Sequence, residues 1–180
     1  MNLLRICLLL CLLVSPSSWA QATPIILDEH RQGLLLSEKG PVQWFADDSG
    51  TLTLDDLLDP AHAGRFGSAT SPPRRSTNAQ PHWFKVELEQ RALTGDWVLA
   101  TQTTALKDVR FYGPFDASGR ALAPPVHTGL SRPFDTRPLG SERYLLRLQL
   151  PGPGTYTVYA RLLGETAPIL GLSVWDTAEY

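Results

Sequence analysis

Thiols are almost missing from this chain. Its 180 residues include two cysteines, Cys7 and Cys11, and both lie in the first twenty. The rest therefore has no disulfide framework, no cysteine-ligated zinc and no thiol nucleophile to draw on. Long apolar runs are missing too: none reaches the ~18–20 residues that span a bilayer, which excludes a membrane domain within this sequence. Charge of one sign is scarce. Sixteen Lys and Arg stand against 18 Asp and Glu, a net charge of −2. A dedicated nucleic-acid binder carries a basic excess, so that class is excluded. No sustained apolar repeat of 3.5 or 3.6 residues is present, which excludes a coiled coil. Enzyme signatures are equally lacking. There is no Gly-x-Ser-x-Gly, no His-Glu-x-x-His and no phosphate-cradling glycine loop. The four histidines, His30, His62, His82 and His127, are scattered. Glu87 and Glu89 share a strand face, as a glycosidase pair would need to face each other, but two like-facing strand carboxylates read more simply as a solvated edge. No catalytic residue and no cofactor is assigned, and the chain is read as non-enzymatic.

What is present begins with an address. Arg5 precedes the apolar stretch 8–14, Pro16, Ser17 and Ser18 then break any helix, and Ser18-Trp19-Ala20 offers small residues for cleavage before Gln21. Ala20-Gln21-Ala22 offers a second choice. This is the layout of a secretory signal peptide, so residues 1–20 are read as a leader and 21–180 as one exported, periplasmic domain. An uncleaved anchor is the alternative; the shortness of the apolar run favours cleavage. The mature domain has 160 residues, no cysteine and a net charge of −3. A domain of that size can bury about two-thirds of its surface and needs no covalent staple.

The 15 Pro and 14 Gly punctuate short apolar runs. Segments 24–28 (PIILD), 33–37 (GLLLS) and 41–45 (PVQWF) are brief. Segment 47–50 (DDSG) is a turn. Thr51 or Thr53 can cap a short helix over 54–58, with Asp55 and Asp56 in its first turn where carboxylates suit the positive helix end, and Pro60 stops it. Segment 61–80 is read as a long surface loop. In 83–89 (WFKVELE), Phe84, Val86 and Leu88 alternate with Trp83, Lys85, Glu87 and Glu89, the period of a half-buried strand. Further strands are expected at 97–101, 107–112, 144–150, 155–162 and 169–175. The strand at 107–112 is expected to end at Gly113-Pro114. Tyr159 and Arg161 are expected opposite the apolar face of their strand. Short strands with Pro and Gly turns and no long helix indicate an all-β fold, an antiparallel β-sandwich of jelly-roll type with one short helix.

The order of motifs in the second half is distinctive. Asn78, Trp83, Phe84, Val86 and Leu88 are followed by Trp97 and Leu99, then by Leu106, Asp108, Val109, Phe111 and Tyr112. Thr128-Gly129, Arg132-Pro133-Phe134, Arg137-Pro138 and Tyr159-x-Arg161 complete the series. This order resembles the extracellular sensor domain that precedes seven-helix bacterial receptors with diverse intracellular signalling modules (7TMR-DISM), in its second extracellular class. The resemblance covers about 25–176. It implies a jelly-roll fold similar to carbohydrate-binding modules and a periplasmic sensor role with sugars or related small molecules as ligands. Family members usually continue into seven membrane helices and an effector. With no such segment here, the expectation is a free-standing module or one acting through a separately encoded partner.

The candidate ligand-binding residues follow from what a sugar needs: a flat ring against its C–H face and fixed polar donors. Trp83 and Tyr112 lie on strands beside Lys85 and Arg110, so ring and cation occur together, and Trp44 is a further ring. Trp97, followed directly by Val98-Leu99-Ala100, is read as core. Arg132 and Arg137 flank Pro133-Phe134. Their planar forks suit carboxylates or vicinal hydroxyls, although pinning a loop is the simpler role for them. No metal site is assigned. Asp47 and Asp48 are the weaker alternative, for calcium, but Leu58 stands where an EF-hand loop starting at Asp47 needs Glu. The expected partner is a small molecule of saccharide or related type, with a membrane receptor or a second copy of the chain as the alternative.

Overall fold

The computed structural model describes residues 23–28, 34–35, 42–60, 65–68, 80–164 and 171–180. The leader and most of the 61–80 loop lie outside the described residues.

Alternating side chains build the longest strands. In β5 (His82–Gln90) Phe84, Val86 and Leu88 are buried, and Lys85, Glu87 and Glu89 are half-exposed. β10 (Gly154–Gly164) runs antiparallel to it, with Val158 opposite Val86 and Ala160 opposite Phe84. β7 (Leu106–Phe115) flanks β10 on its other side, and β8 (Val126–Thr128) closes that edge. On the far side of β5, β3 (Val42–Ala46) pairs with its first half and β1 (Ile25–Leu27) runs parallel to its end. β4 (Gly67–Ser68) pairs with β3. These seven strands form one sheet.

The second sheet holds four strands in the order β2 (Leu34–Leu35), β11 (Leu172–Asp176), β6 (Gly95–Thr101) and β9 (Leu145–Leu150). Its inner side chains Trp97, Leu99, Leu146, Leu148 and Val174 meet Phe84, Val86, Leu88, Phe111 and Val158 of the first sheet in one core. Two layers sharing one apolar interior make an all-β sandwich. Trp97 is core, as expected.

Helix α1 (Leu54–Leu58) stands where the sequence places it. Thr53 is its N-cap, and Asp56 closes a capping box by accepting from the Thr53 backbone N–H at 2.8 Å. Such a cap contributes about 1 kcal/mol. Its Leu57 is buried, but not in the main core. It packs with Trp83 and Tyr159 on the outer face of the seven-stranded sheet, where Phe45, Leu52, Leu54, Phe66, Tyr112 and Phe115 join them. That second apolar cluster covers the part of the outer face around Trp83 and Tyr159.

One local expectation is corrected, and two segments gain detail. β7 does not end at Gly113-Pro114; it passes through a cis Gly113–Pro114 bond and a register shift to reach Phe115. The segment around Thr128 forms β8, and a 3-10 turn follows at Phe134–Thr136. The 61–80 segment contains β4. No helix among the described residues is long and apolar enough to cross a membrane.

Candidate ligand-binding face

Strand register lines up one row of side chains across the outer face of the seven-stranded sheet. Phe45 of β3 lies opposite Trp83 of β5, Trp83 opposite Arg161 of β10, Arg161 opposite Arg110 of β7, and Arg110 opposite His127 of β8. The next row holds Lys85, Tyr159 and Tyr112. Successive residues of a strand point to opposite faces, so Asp108, Arg110 and Tyr112 share this one.

Asp108 is the hub. It is 9% exposed. Its Oδ2 accepts from Arg110 Nε at 2.9 Å and from Arg161 Nη1 at 3.0 Å, and its Oδ1 meets His127 Nε2 at 2.5 Å. Burial works to raise its pKa. The hydrogen bond with His127 and the charges of Arg110 and His127 outweigh burial, and its carboxyl is held below the ordinary value. Arg161 is 7% exposed. Burial, then repulsion from Arg110, lowers its pKa. Its Nη2 donates to the Gly50 carbonyl at 3.0 Å. That carbonyl belongs to a turn organised by the buried Asp47, whose carboxylate accepts from the Ser49 hydroxyl and the Gly50 and Leu52 amides. Arg132 Nη2 approaches His127 Nδ1 at 3.4 Å from the loop after β8.

The aromatic half of the face is closed. Trp83 is 0% exposed and stacks on Tyr112, with centroids 5.8 Å apart and planes 21° apart. Tyr159 is covered by Phe66 and Phe115; burial, then the Glu87 charge, raises its pKa. Trp83 Nε1 and Arg161 Nε, on directly opposed residues, are buried without a hydrogen-bond partner among the described residues.

The expected site residues therefore divide. Trp83, Lys85, Arg110 and Tyr112 share this face, and Arg132 reaches its edge through His127. The expectation that Trp83 stacks directly on a ligand is corrected: Leu57 and its neighbours cover it, and it backs Tyr112 instead. Lys85 is held by Glu87 at 2.7 Å. Trp44 belongs to the opposite face, opposite Phe84, tilted against His82 and packed on the main core. Arg137 stands apart. Its guanidinium lies 4.6 Å from the Phe134 ring centroid and 4.7 Å from that of Tyr144, and its Nη1 donates to the Ser141 and Glu142 carbonyls. That is a loop pin. Both oxygens of Asp47 serve its turn, and Asp48 is exposed; no group of three metal-ligating side chains gathers among the described residues. The residues missed from sequence are Asp108, Arg161 and His127. The Asp108-x-Arg110 and Tyr159-x-Arg161 spacings were the available signal, each placing a charge on the face of a known ring. A separate open cleft of about 380 Å³ lies at one end of the second sheet, lined by Thr94, Gly95, Asp96, Gln149, Leu150 and Pro151. It contains none of the expected site residues.

The native structure of a family 35 carbohydrate binding module from Clostridium thermocellum is similar over 82% of this chain and 100% of its own, at 12% identity and a TM-score of 0.36. No curated protein matches the chain. The family model described as 7TMR-DISM extracellular 2 matches residues 39–176, well over half of the sequence and most of both sheets. The chain belongs to the 7TMR-DISM extracellular 2 family.

Proposed function

We propose that this domain is a non-catalytic, periplasmic ligand-binding sensor module, exported by the leader at 1–20, whose ligand is a small molecule of saccharide or related type. Membership of an extracellular receptor-domain family supports the sensor role. The observation that carries the binding face is the row from Trp83 through Arg161 and Arg110 to His127, beside Tyr112. There a half-exposed ring backed by a buried indole adjoins planar donors held in place by Asp108. A fixed ring and fixed donors are what sugar recognition requires, because prepositioned groups lose little freedom on binding. Thermal-shift measurements on the 21–180 domain with cell-wall sugars and glycan fragments test the reading. A saccharide that raises Tm in the parent and not in Tyr112→Ala supports it. A shift with peptides or ions and with no saccharide removes the saccharide version.

A second reading, a protein-interaction module docking on a membrane receptor or on itself, is favoured by the edge beside β8. There Leu130 and Phe134 are 53% and 62% exposed. Sedimentation and co-purification from envelope extracts discriminate: a chain always recovered alone and monomeric counts against it.

A further inference from the structure

We infer that the open half of this face is an anion site that anchors its ligand through a carboxylate, received by Arg110 and Arg132 at the edge of the seven-stranded sheet. This deepens the reading of the face as a ligand site by naming the ligand's anchoring group.

The charge balance comes first. Three guanidiniums, those of Arg110, Arg161 and Arg132, gather around His127 and Asp108. The opposing carboxylates are Asp108 and, behind Arg161, Asp47. Lys85 and Glu87, in the neighbouring row, satisfy one another. Three guanidiniums against these two carboxylates leave at least one positive charge, which favours an anion.

The donors come second. Asp108 is shared by three groups, two arginines on Oδ2 and His127 on Oδ1. Arg132 makes no direct bond to it among the described residues. Arg110 commits only its Nε to Asp108, and its two terminal nitrogens make no hydrogen bond among the described residues. Its side chain is 39% exposed, so those terminal donors can face a ligand. Arg132 is exposed, and among the described residues its guanidinium has a single hydrogen-bond partner, His127 Nδ1, at a long 3.4 Å. Planar guanidinium donors match the two oxygens of a carboxylate. Arg161, buried behind them, adds field and is held by Gly50 and Asp108. The surroundings come third. Tyr112 lies two residues from Arg110 on the same face, with Leu130 and Phe134 in the loop that carries Arg132, so an apolar or ring-shaped body has surface to lie on.

The test uses the 21–180 domain with ¹⁵N-labelled arginine side chains, titrated with sodium acetate, with sodium chloride to matched ionic strength, and separately with neutral saccharides. Acetate is expected to shift the Arg110 and Arg132 Nε–H resonances saturably, and chloride is not. Arg132→Gln, which removes an exposed side chain and leaves Tm unchanged, is expected to weaken acetate about tenfold, with Arg132→Lys intermediate. Identical responses to acetate and chloride, or acetate binding untouched in Arg132→Gln, overturn the inference. A neutral saccharide that binds where acetate does not also overturns it, while leaving the sensor reading standing. Acetate binding with no response to neutral saccharides keeps the carboxylate site and narrows the saccharide version to acidic sugars.

Discussion

Arg161 and Arg110 lie opposite one another on adjacent strands and donate to the same atom, Asp108 Oδ2, at 3.0 and 2.9 Å. Two like charges held side by side, one of them buried, are tolerable only because a carboxylate sits between them. Removing one member of a buried charge group leaves the others uncompensated, which costs about 3 kcal/mol or more. Asp108→Asn is therefore expected to lower unfolding free energy by about that amount in urea. The exposed Asp96–Arg147 pair, in which Arg147 Nε donates to Asp96 Oδ1 at 2.9 Å and Nη2 to Oδ2 at 2.5 Å, is the control. Asp96→Asn is expected to cost less than about 1 kcal/mol, since water screens and solvates both partners. Equal losses would show that the hub is not holding the arginines together.

The same hub sets a response to acid. The Asp108 carboxyl titrates below its ordinary value of 3.8 in the folded chain. Its contribution is thus fully present above pH 3.8 and is lost as pH falls through the lower folded value, because the unfolded chain takes up the proton first. Between about pH 4 and pH 2 the parent is expected to lose Tm more steeply than Asp108→Asn. Parallel curves would remove Asp108 from the acid response.

A second titration lies nearer neutrality. His82 is buried at the start of β5, and its Nδ1 lies 3.1 Å from the Gln80 carbonyl. Burial lowers its pKa from 6.5, against the opposing pulls of that carbonyl and the Asp48 charge. Stability from neutral His82 is present above pH 6.5 and declines as pH falls through the folded value. Tm of the parent should fall between about pH 7 and pH 5, and His82→Asn, which cannot take up the proton, should show a flatter profile.

How much of this was readable in the chain depends on distance along it. The alternation in WFKVELE gives the two faces of β5 directly, and a threonine cap with Asp55 and Asp56 behind it gives the span of α1, although the choice of Thr53 over Thr51 comes from the structure. Trp83, Lys85, Arg110 and Tyr112 fall on one face because each pair is two residues apart on its own strand. The hub is different. Asp108 and Arg161 are 53 positions apart, and Asp108 and His127 are 19 apart; only the register of β7 with β10 and β8 brings them together, and periodicity carries no register. β8, with three residues, is too short to show a period. Trp44 follows one position after Gln43, and a one-residue difference in register decides which face a side chain occupies. The burial of Trp83 could not be read from its own strand at all, because the residues covering it come from α1 and Phe66.

The loop bearing Arg132 depends on a glycine. Gly129 has φ +136°, and a Cβ there would stand 2.5 Å from the Lys107 carbonyl oxygen and 3.0 Å from Asp108 Cα. Both neighbours are backbone, so neither can rotate away. Just beyond it the Leu130 and Ser131 amides donate to the Leu106 and Lys107 carbonyls, tying the loop to β7. Gly129→Ala is expected to cost on the order of 1–3 kcal/mol and to reduce acetate binding by displacing Arg132. Gly140, with open space around it and no positive φ, should accept Ala within about 0.5 kcal/mol. Urea unfolding of the two variants checks the contrast, and equal costs would mean that Gly129 is not a constrained contact.

At the opposite end of the sandwich one polar pair is built into the core. Trp97 Nε1 donates to Gln90 Oε1 at 2.9 Å, joining the two sheets, and both residues are buried. The pair has room because residue 95 is glycine: a Cβ there would meet Trp97 Nε1 at 2.3 Å and Gln90 Nε2 at 2.4 Å. Gln90→Leu keeps apolar volume but leaves the indole N–H buried and unpaired, a loss of about 1–3 kcal/mol. Gly95→Ala forces the same two side chains apart and is expected to cost a similar amount. Since both changes act on one hydrogen bond, their costs cannot add: once Gln90 is gone there is no bond left for the added methyl group to break. The double variant should be less destabilised than the sum of the singles by about 1 kcal/mol. Additive losses in a urea double-mutant cycle would mean that Gly95 serves its strand alone and not the Trp97–Gln90 bond.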